Sequence, residues 1–398
     1  MRTKTRWLNS TVLGIGLASL FSDWSHEIAT AALPAYLATL GVAAAWLGVI
    51  EGVADGLSSF AKMASGVYTD RLPRRKPIAV AGYVITALGT GAFALATNAW
   101  QLLLARSAAW LGRGVRTPVR KALLAASVDR AAYGRAFGLE RAMDTVGAIL
   151  GPLTALLLLQ ATQHNYRLLF ASTLLPGFAA AAVIGFLVKE RTRAPVPHIS
   201  FGERLRQLPC DYRRFLVAVA VFGAGDFAHT LLILLATQKL APRLGLTTAA
   251  SIAVTLYVLH NVFYAAFSLA AGWLADRARK NFVLAGGYTV AAGMTLAIIF
   301  LSPTIWTMAL VFVAGGIYIA IEETLEDSLC AELVDPAQHG TAFGVLATVN
   351  GLGDFVSSIV VGTIWSMFGT GAAFSYSAAL FLLGAILIAR VKTQPPTA

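Results

Sequence analysis

The sequence predicts an all-α membrane protein whose twelve transmembrane helices form two pseudo-symmetric six-helix bundles. Three observations predict it. Of 398 residues, 57% are hydrophobic and only 13% are charged, whereas a soluble chain carries roughly 25% charged residues. Apolar stretches long enough to cross a bilayer, about 20 residues each, recur along the whole chain. The two halves also share motifs in matching order, as described below.

Taken in order, the apolar stretches place spans near residues 10–39, 44–69, 77–96, 98–126, 133–160 and 167–188, then 214–239, 248–275, 282–301, 304–333, 338–368 and 370–390. The longest polar stretch, Lys189 to Arg214, contains Pro195, Pro197 and Pro209 and separates six spans from six. The expected organisation is therefore a bundle over 1–188, a cytoplasmic linker over 189–213, and a second bundle with a short tail over 214–398. The 36 glycines fit this class, because small residues let membrane helices approach closely. Enzymes that need a large polar cleft are disfavoured by the same composition.

A net charge of +11 would suggest a nucleic-acid partner in a soluble chain. Here the basic residues crowd one set of loops, while the other side has Arg167, Lys239 and Arg243. That asymmetry places both termini in the cytoplasm by the positive-inside rule, accounts for the charge and removes the case for nucleic acid. The basic start (Arg2, Lys4, Arg6) runs into an acid-bearing apolar stretch, read as a first spanning helix rather than a cleavable signal. Cys210 and Cys330 have no metal-ligand spacing and read as isolated packing residues.

Asp23-x-x-His26 in helix 1 returns as Asp226-x-x-His229 in helix 7. GVYTDRLPRRKP, from Gly66, returns as GWLADRARKN, from Gly272, and the same register aligns Asp129 with Asp335 and Phe137-Gly138 with Phe343-Gly344. Parallel six-helix repeats of this kind belong to transporters whose halves rock around a site near the midplane.

GVYTDRLPRRKP, carrying Gly66, Asp70, Arg71, Arg74 and Arg75, resembles the loop 2–3 signature of the major facilitator superfamily, with Pro73 in place of a glycine. Gly147, Gly151 and Pro152 in helix 5 resemble the Gly-x-x-x-Gly-Pro motif of its antiporter branches. GRGVRTPVRKALLAAS and GRAFGLERAMDTVGAILGPL are similar to bacterial permeases that include nickel and other resistance exporters. The resemblance implies the major facilitator fold, alternating access and a cavity lined by helices 1, 4, 7 and 10. Physically, Gly66 permits close helix contact and the basic cluster holds the loop in the cytoplasm. The basic residues mark topology, form an Asp70-centred ion-pair latch, or do both. Gly147, Gly151 and Pro152 are expected to make a close, slightly bent helix contact.

An ionisable group near the bilayer centre costs about 2.5–3.5 kcal/mol on insertion scales, so each needs a partner, a cavity or a task. The candidates for coupling or substrate binding are Asp23, His26 and Glu27 on helix 1, Glu51 and Asp55 on helix 2, Asp226 and His229 on helix 7, and His260 on helix 8. They admit three readings. In one, Asp23, Glu27 and Asp226 exchange protons for cargo. In another, Asp23, His26, Asp226 and His229 form a cage for a transition metal. In the third, the groups satisfy one another and fix packing. The repeat register also sets Arg116 against Glu322 and Arg120 against Glu326 with opposite charge. A cytoplasmic gate of Arg113, Arg116 and Arg120 with Glu322, Glu323 and Glu326 is expected from this, the alternative being pairing within each half through Glu140 or Asp144.

The expected function is proton-coupled efflux of a small solute across the cytoplasmic membrane. A divalent-metal or chelate exporter is the alternative, and a non-transporting receptor or scaffold the reading from another class. The expected partners are a small-molecule or ion substrate and the lipid bilayer, with the chain acting as a monomer. No enzyme activity and no cofactor are expected: no phosphate-binding Gly-x-x-x-x-Gly-Lys-Ser/Thr is present, which leaves the proton gradient as the energy source.

Overall fold

The computed structural model describes residues 7–41, 45–190 and 201–393. The expected basic start (Arg2, Lys4, Arg6) and the linker prolines Pro195 and Pro197 lie outside the described residues. The fold is all-helical. The first six spans are α1 (Ser10–Thr39), α2 (Ala45–Asp70), α3 (Lys76–Gly91, continued as a 3-10 turn over Ala92–Leu95), α4 (Ala99–Ala126), α5 (Tyr133–Ala161) and α6, whose two pieces Tyr166–Ser172 and Leu174–Leu187 meet at Thr173. After a short linker helix (Phe201–Gln207) come α7, in two pieces, Cys210–Gly223 and His229–Leu244, then α8 (Leu246–Ala275), α9 (Lys280–Phe300) and α10 (Ile305–Leu333). The last helix, His339–Ala389, is divided at Gly369, whose φ of 84° only glycine adopts readily. This gives α11 over 339–368 and α12 over 370–389.

Among the described residues, seven helical segments are long and apolar enough to cross a membrane by length and composition, the last of them containing both α11 and α12. The spans outside that set are α1, α2, α4 and α7, which include the carriers of Asp23, Glu51, the helix-4 arginines and Asp226. Large apolar side chains such as Leu95, Leu175, Phe186 and Trp306 stand exposed; in a membrane protein these face lipid.

The chain divides into two compact units, one of residues 1–132, 139–207 and 334–348, the other of 133–138, 208–333 and 349–398. The first unit has an apolar core around Ile28, Leu33, Tyr36, Phe93 and Phe170, where Tyr36 Oη donates to the carbonyl of Ala96 at 2.6 Å. In the second, Phe222 stacks on Tyr288 with ring centroids 3.8 Å apart and on Phe381 at 4.7 Å.

One element departs from expectation. Helix 7 is not continuous: it is unwound from Ala224 to Ala228, with Asp226 inside the break. An interruption leaves backbone carbonyls without helical partners, which a bilayer tolerates only where other groups replace them. Here Tyr376 Oη of α12 donates to the carbonyl of Ala224 at 3.0 Å, and Ser357 Oγ of α11 donates to that of Asp226. Gly223 packs against Gly353 just before the break.

Candidate functional site

The first unit builds its polar interior on α4. Arg106, Arg113, Arg116 and Arg120 project from that helix, and each meets a distinct set of partners on α1, α2, α3 or α5. Arg106 is buried; its Nη2 lies 2.9 Å from Glu51 Oε2, its Nη1 donates to Thr30 Oγ1 at 3.2 Å, and its guanidinium stacks 3.8 Å over the Trp110 ring. Trp110 Nε1 donates to Asp55 at 2.5 Å, and its ring centroid lies 4.2 Å from that of His26. Arg113 Nη2 is 3.5 Å from Asp23 Oδ1. Arg116 stacks 4.2 Å over Tyr83 and donates to Ser22 Oγ at 2.7 Å, leaving Nε and Nη1 without a partner among the described residues. Arg120 reaches Glu140 Oε1 at 2.7 Å and Asp144 Oδ1 at 3.7 Å and donates to Ser19 Oγ at 2.6 Å. Ser19 in turn donates to Glu140, and Arg141 holds Asp144 at 3.2 Å.

Within the first unit Arg120 is engaged by Glu140, and Arg116 by Ser22 and Tyr83, which is the pairing within the half that stood as the alternative to the expected gate. The reason is burial: Arg120 and Glu140 are 5% and 1% exposed, and ions that deep need a partner at contact distance. The metal cage finds no support. Asp23 turns to Arg113, His26 contacts Glu27 (3.6 Å) and Trp110, and among the described residues no group of three or more His, Cys, Asp or Glu is set to hold a metal.

The second unit is built differently. Three of its interior carboxylates, Asp226, Glu323 and Glu326, meet neutral donors, whereas Glu332 near the end of α10 pairs with the buried Lys280 at 2.6 Å. Asp226, freed from helical geometry by the break in α7, accepts from Tyr318 Oη at 2.9 Å. Glu326 accepts from Tyr288 Oη at 2.7 Å and Asn350 Nδ2 at 2.8 Å, and Glu323 accepts from Tyr264 Oη. Glu322 is buried on the same helix, in the electrostatic field of Asp226, Glu323, Glu326 and Asp354. His229 opens the second piece of α7 with its ring 4.9 Å from that of His260, whose Nδ1 sits 3.1 Å from the carbonyl of Phe312. The sequence explains the contrast: beyond Arg214 the basic residues are Lys239, Arg243, Arg277, Arg279, Lys280, Arg390 and Lys392, so within α8 to α12 the one basic residue is Lys280 at the first position of α9.

A third arrangement occurs twice. In the first unit Asp70, at the end of α2, forms an ion pair with the buried Arg75 and accepts from the backbone N–H groups of Gly340 (2.9 Å) and Thr341 (2.7 Å) at the start of α11. In the second, Asp276 after α8 accepts from the N–H groups of Gly134 (2.8 Å) and Arg135 (3.1 Å) at the start of α5, while Arg135 Nε approaches it at 2.7 Å. A carboxylate on the first turn of a helix satisfies orphan N–H donors and complements the helix dipole. Gly66 lies against the backbone of Gly340, and Gly272 against that of Gly134, so a side chain at either site would collide with a carbonyl. Arg75 belongs to this ion pair, Arg74 is exposed, and Arg71 flanks them. The backbone N–H groups of Arg75 and Lys76 donate to Glu190. Gly134 and Gly340 were not singled out from the sequence, although the register that aligns Asp70 with Asp276 also aligns them.

Gly147 packs on the α1 backbone at Leu20 and Trp24, and Gly151 on Glu27, with Pro152 on the exposed side of α5. Trp24 Nε1 donates to Thr154 at 2.8 Å across the same contact.

The chain matches the sequence model described as Major Facilitator Superfamily over residues 15–240 and 215–398. It is 28% identical to an uncharacterized MFS-type transporter of Methanocaldococcus jannaschii, over 96% of this chain and 95% of that protein. It is 27% identical to multidrug resistance protein MdtH of Photorhabdus laumondii, over 75% and 73%. Among solved structures it resembles the human organic anion transporter TETRAN (TM-score 0.78, 15% identity, 95% of this chain and 99% of that one). It also resembles the E. coli fucose:proton symporter FucP (TM-score 0.77, 16% identity, 97% and 100%).

Proposed function

The chain belongs to the major facilitator superfamily, and from that premise we propose that it is a proton-coupled exporter of a small solute, working by alternating access in the cytoplasmic membrane with both termini inside. As a member of that family it is a multi-pass membrane transporter and not an enzyme. Its cargo is a small molecule. The direction rests on the likeness to the multidrug resistance protein MdtH and on that of the helix-5 motif to antiporters. Orientation rests on the asymmetry of the basic loops.

The observation that carries proton coupling is the unwound segment of α7. It presents Asp226 to the phenol of Tyr318, in the field of Glu323, Glu326 and Asp354, and the one basic residue of α8 to α12, Lys280 at the start of α9, is paired with Glu332. Discontinuous helices supply ion and substrate sites in transporters. A carboxylate answered by a neutral donor can exchange a proton without breaking an ion pair, and an approaching cargo can then displace that proton. The Arg-paired acids of the first unit are assigned to structure and to positioning cargo near Asp23, Glu27 and Trp110. The twin contacts of Asp70 and Asp276 are assigned as latches that must release when the transporter changes state.

The test begins with a thermal-shift screen of purified protein against lipophilic cations, organic anions and divalent metals, since a ligand of the folded state raises its stability. The strongest binder is then loaded into proteoliposomes under an imposed pH gradient. Cargo movement accompanied by proton movement supports the reading. Cargo flux indifferent to the gradient, with no internal pH change, overturns it.

A further inference from the structure

The second unit carries a cavity of about 470 Å3 where the start of α7 meets the end of α12. Its polar rim is made of Arg213, Arg214 and Arg390, and its wall of Val217, Leu387 and Val391. We propose that this cavity binds the phosphate headgroup of an anionic phospholipid, with the acyl chains lying along the apolar wall.

The chemistry of the rim selects the ligand. Three guanidiniums converge on one space, and guanidinium is the side chain best matched to phosphate oxygens, through paired N–H donors. All three are exposed, and Arg214 Nη1 contacts Asp211 Oδ1 at 3.2 Å. Asp211 is not among the residues that line the cavity. The depth of the cavity selects the lipid over a soluble anion. Arg213 and Arg214 lie in the first turns of α7 and Arg390 just after α12, at the level where a span meets the headgroup layer. Val217, 56% exposed one turn further in, continues the cavity toward the hydrocarbon. A basic rim above an apolar wall is the pattern of headgroup recognition.

The first unit offers an internal contrast. A cavity of about 810 Å3 between the start of α3 and the end of α6 is also rimmed by basic residues, Arg74, Lys76 and Lys189, over Val84 and Phe186. Its rim includes Glu190, whose carboxylate receives the N–H groups of Arg75 and Lys76 at 2.6 and 2.9 Å. That negative charge, fixed at the mouth, opposes an anion. The assignment is therefore confined to the cavity of the second unit.

The protein contains its own reporter. Cys210 is exposed and lines the cavity, whereas Cys330, the only other cysteine, is buried. The full chain is placed in nanodiscs of phosphatidylcholine, with or without phosphatidylglycerol, and labelled with an uncharged maleimide. Both leaflets are identical in a nanodisc, so the outcome is independent of membrane orientation and of transport.

Phosphatidylglycerol is expected to slow Cys210 labelling, and native mass spectrometry is expected to find it retained in preference to phosphatidylcholine. Each basic residue near an anionic surface strengthens the attraction on the order of fivefold. Arg213→Gln with Arg390→Gln is therefore expected to cut the preference roughly tenfold or more, and the Lys pair at the same positions to keep most of it. The Lys variant also retains the loop charges, so a loss seen only in the Gln variant cannot be a failure of insertion if the Gln variant elutes as a monodisperse species. Inorganic phosphate added to phosphatidylcholine discs is expected to leave labelling unchanged. Equal labelling in both lipids, a preference that survives the Gln pair, or full protection by inorganic phosphate alone would each overturn the assignment.

Discussion

The two six-helix halves share a fold and a motif register but treat buried acids in opposite ways. In the N-terminal half Asp23, Glu51, Glu140 and Asp144 each face an arginine. In the C-terminal half Asp226, Glu323 and Glu326 face tyrosines, and Glu326 an asparagine as well. Aligned positions make the inversion explicit, since Arg116 and Arg120 correspond to Glu322 and Glu326. On the proposed function this duplicated scaffold divides labour, with ion pairs fixing one half while the phenol-bonded carboxylates of the other take up and release protons.

The contrast can be broken at several points. The largest effect is expected for Asp226→Asn: gradient-driven cargo flux in proteoliposomes should fall to the level of protein-free vesicles while the protein stays folded, whereas Asp23→Asn should retain measurable proton coupling. Next, Arg120→Met strands Glu140 in a dry site, a class of change that costs about 3–5 kcal/mol. Thermal unfolding should show a large drop that Arg120→Met with Glu140→Gln mostly restores. Smaller effects follow at the twin latches. A carboxylate at a helix N-terminus contributes about 0.3–2 kcal/mol, so Asp70→Asn and Asp276→Asn should each lower the unfolding midpoint. Asp70→Asn should lower it more, because it also takes the counter-ion from the buried Arg75, a loss approaching the Arg120→Met class, whereas Arg135 beside Asp276 is more exposed. The smallest stability change is expected for Glu326→Gln, whose amide oxygen can still accept from Tyr288 while its NH2 donates to Asn350 Oδ1 once that amide flips; the midpoint should move by less than about 1 kcal/mol equivalent. A collapse there would mean that Glu326 is held as an ion by a cationic partner.

Much of this was legible in the sequence, because hydropathy and a repeating register act at every position along a span. The register even contained the second latch: it pairs Gly134 with Gly340 as surely as Asp70 with Asp276. The break in α7 was not legible from its own residues. Gly223 and Gly225 permit unwinding, but what stabilises it is Ser357 and Tyr376, more than a hundred residues downstream. The choice between Arg120–Glu140 and Arg120–Glu326 likewise escaped, since spacing places both acids on helix faces and only packing brings Ser19 between Arg120 and Glu140.

The central claim is that proton exchange belongs to the C-terminal acids. Infrared difference spectroscopy of the purified protein across a pH titration tests it without any cargo, by following the protonated-carboxyl band. The account predicts that this band loses intensity in Asp226→Asn and Glu322→Gln and keeps it in Asp23→Asn and Glu51→Gln; a band that vanishes with the N-terminal substitutions and survives the C-terminal ones would contradict it.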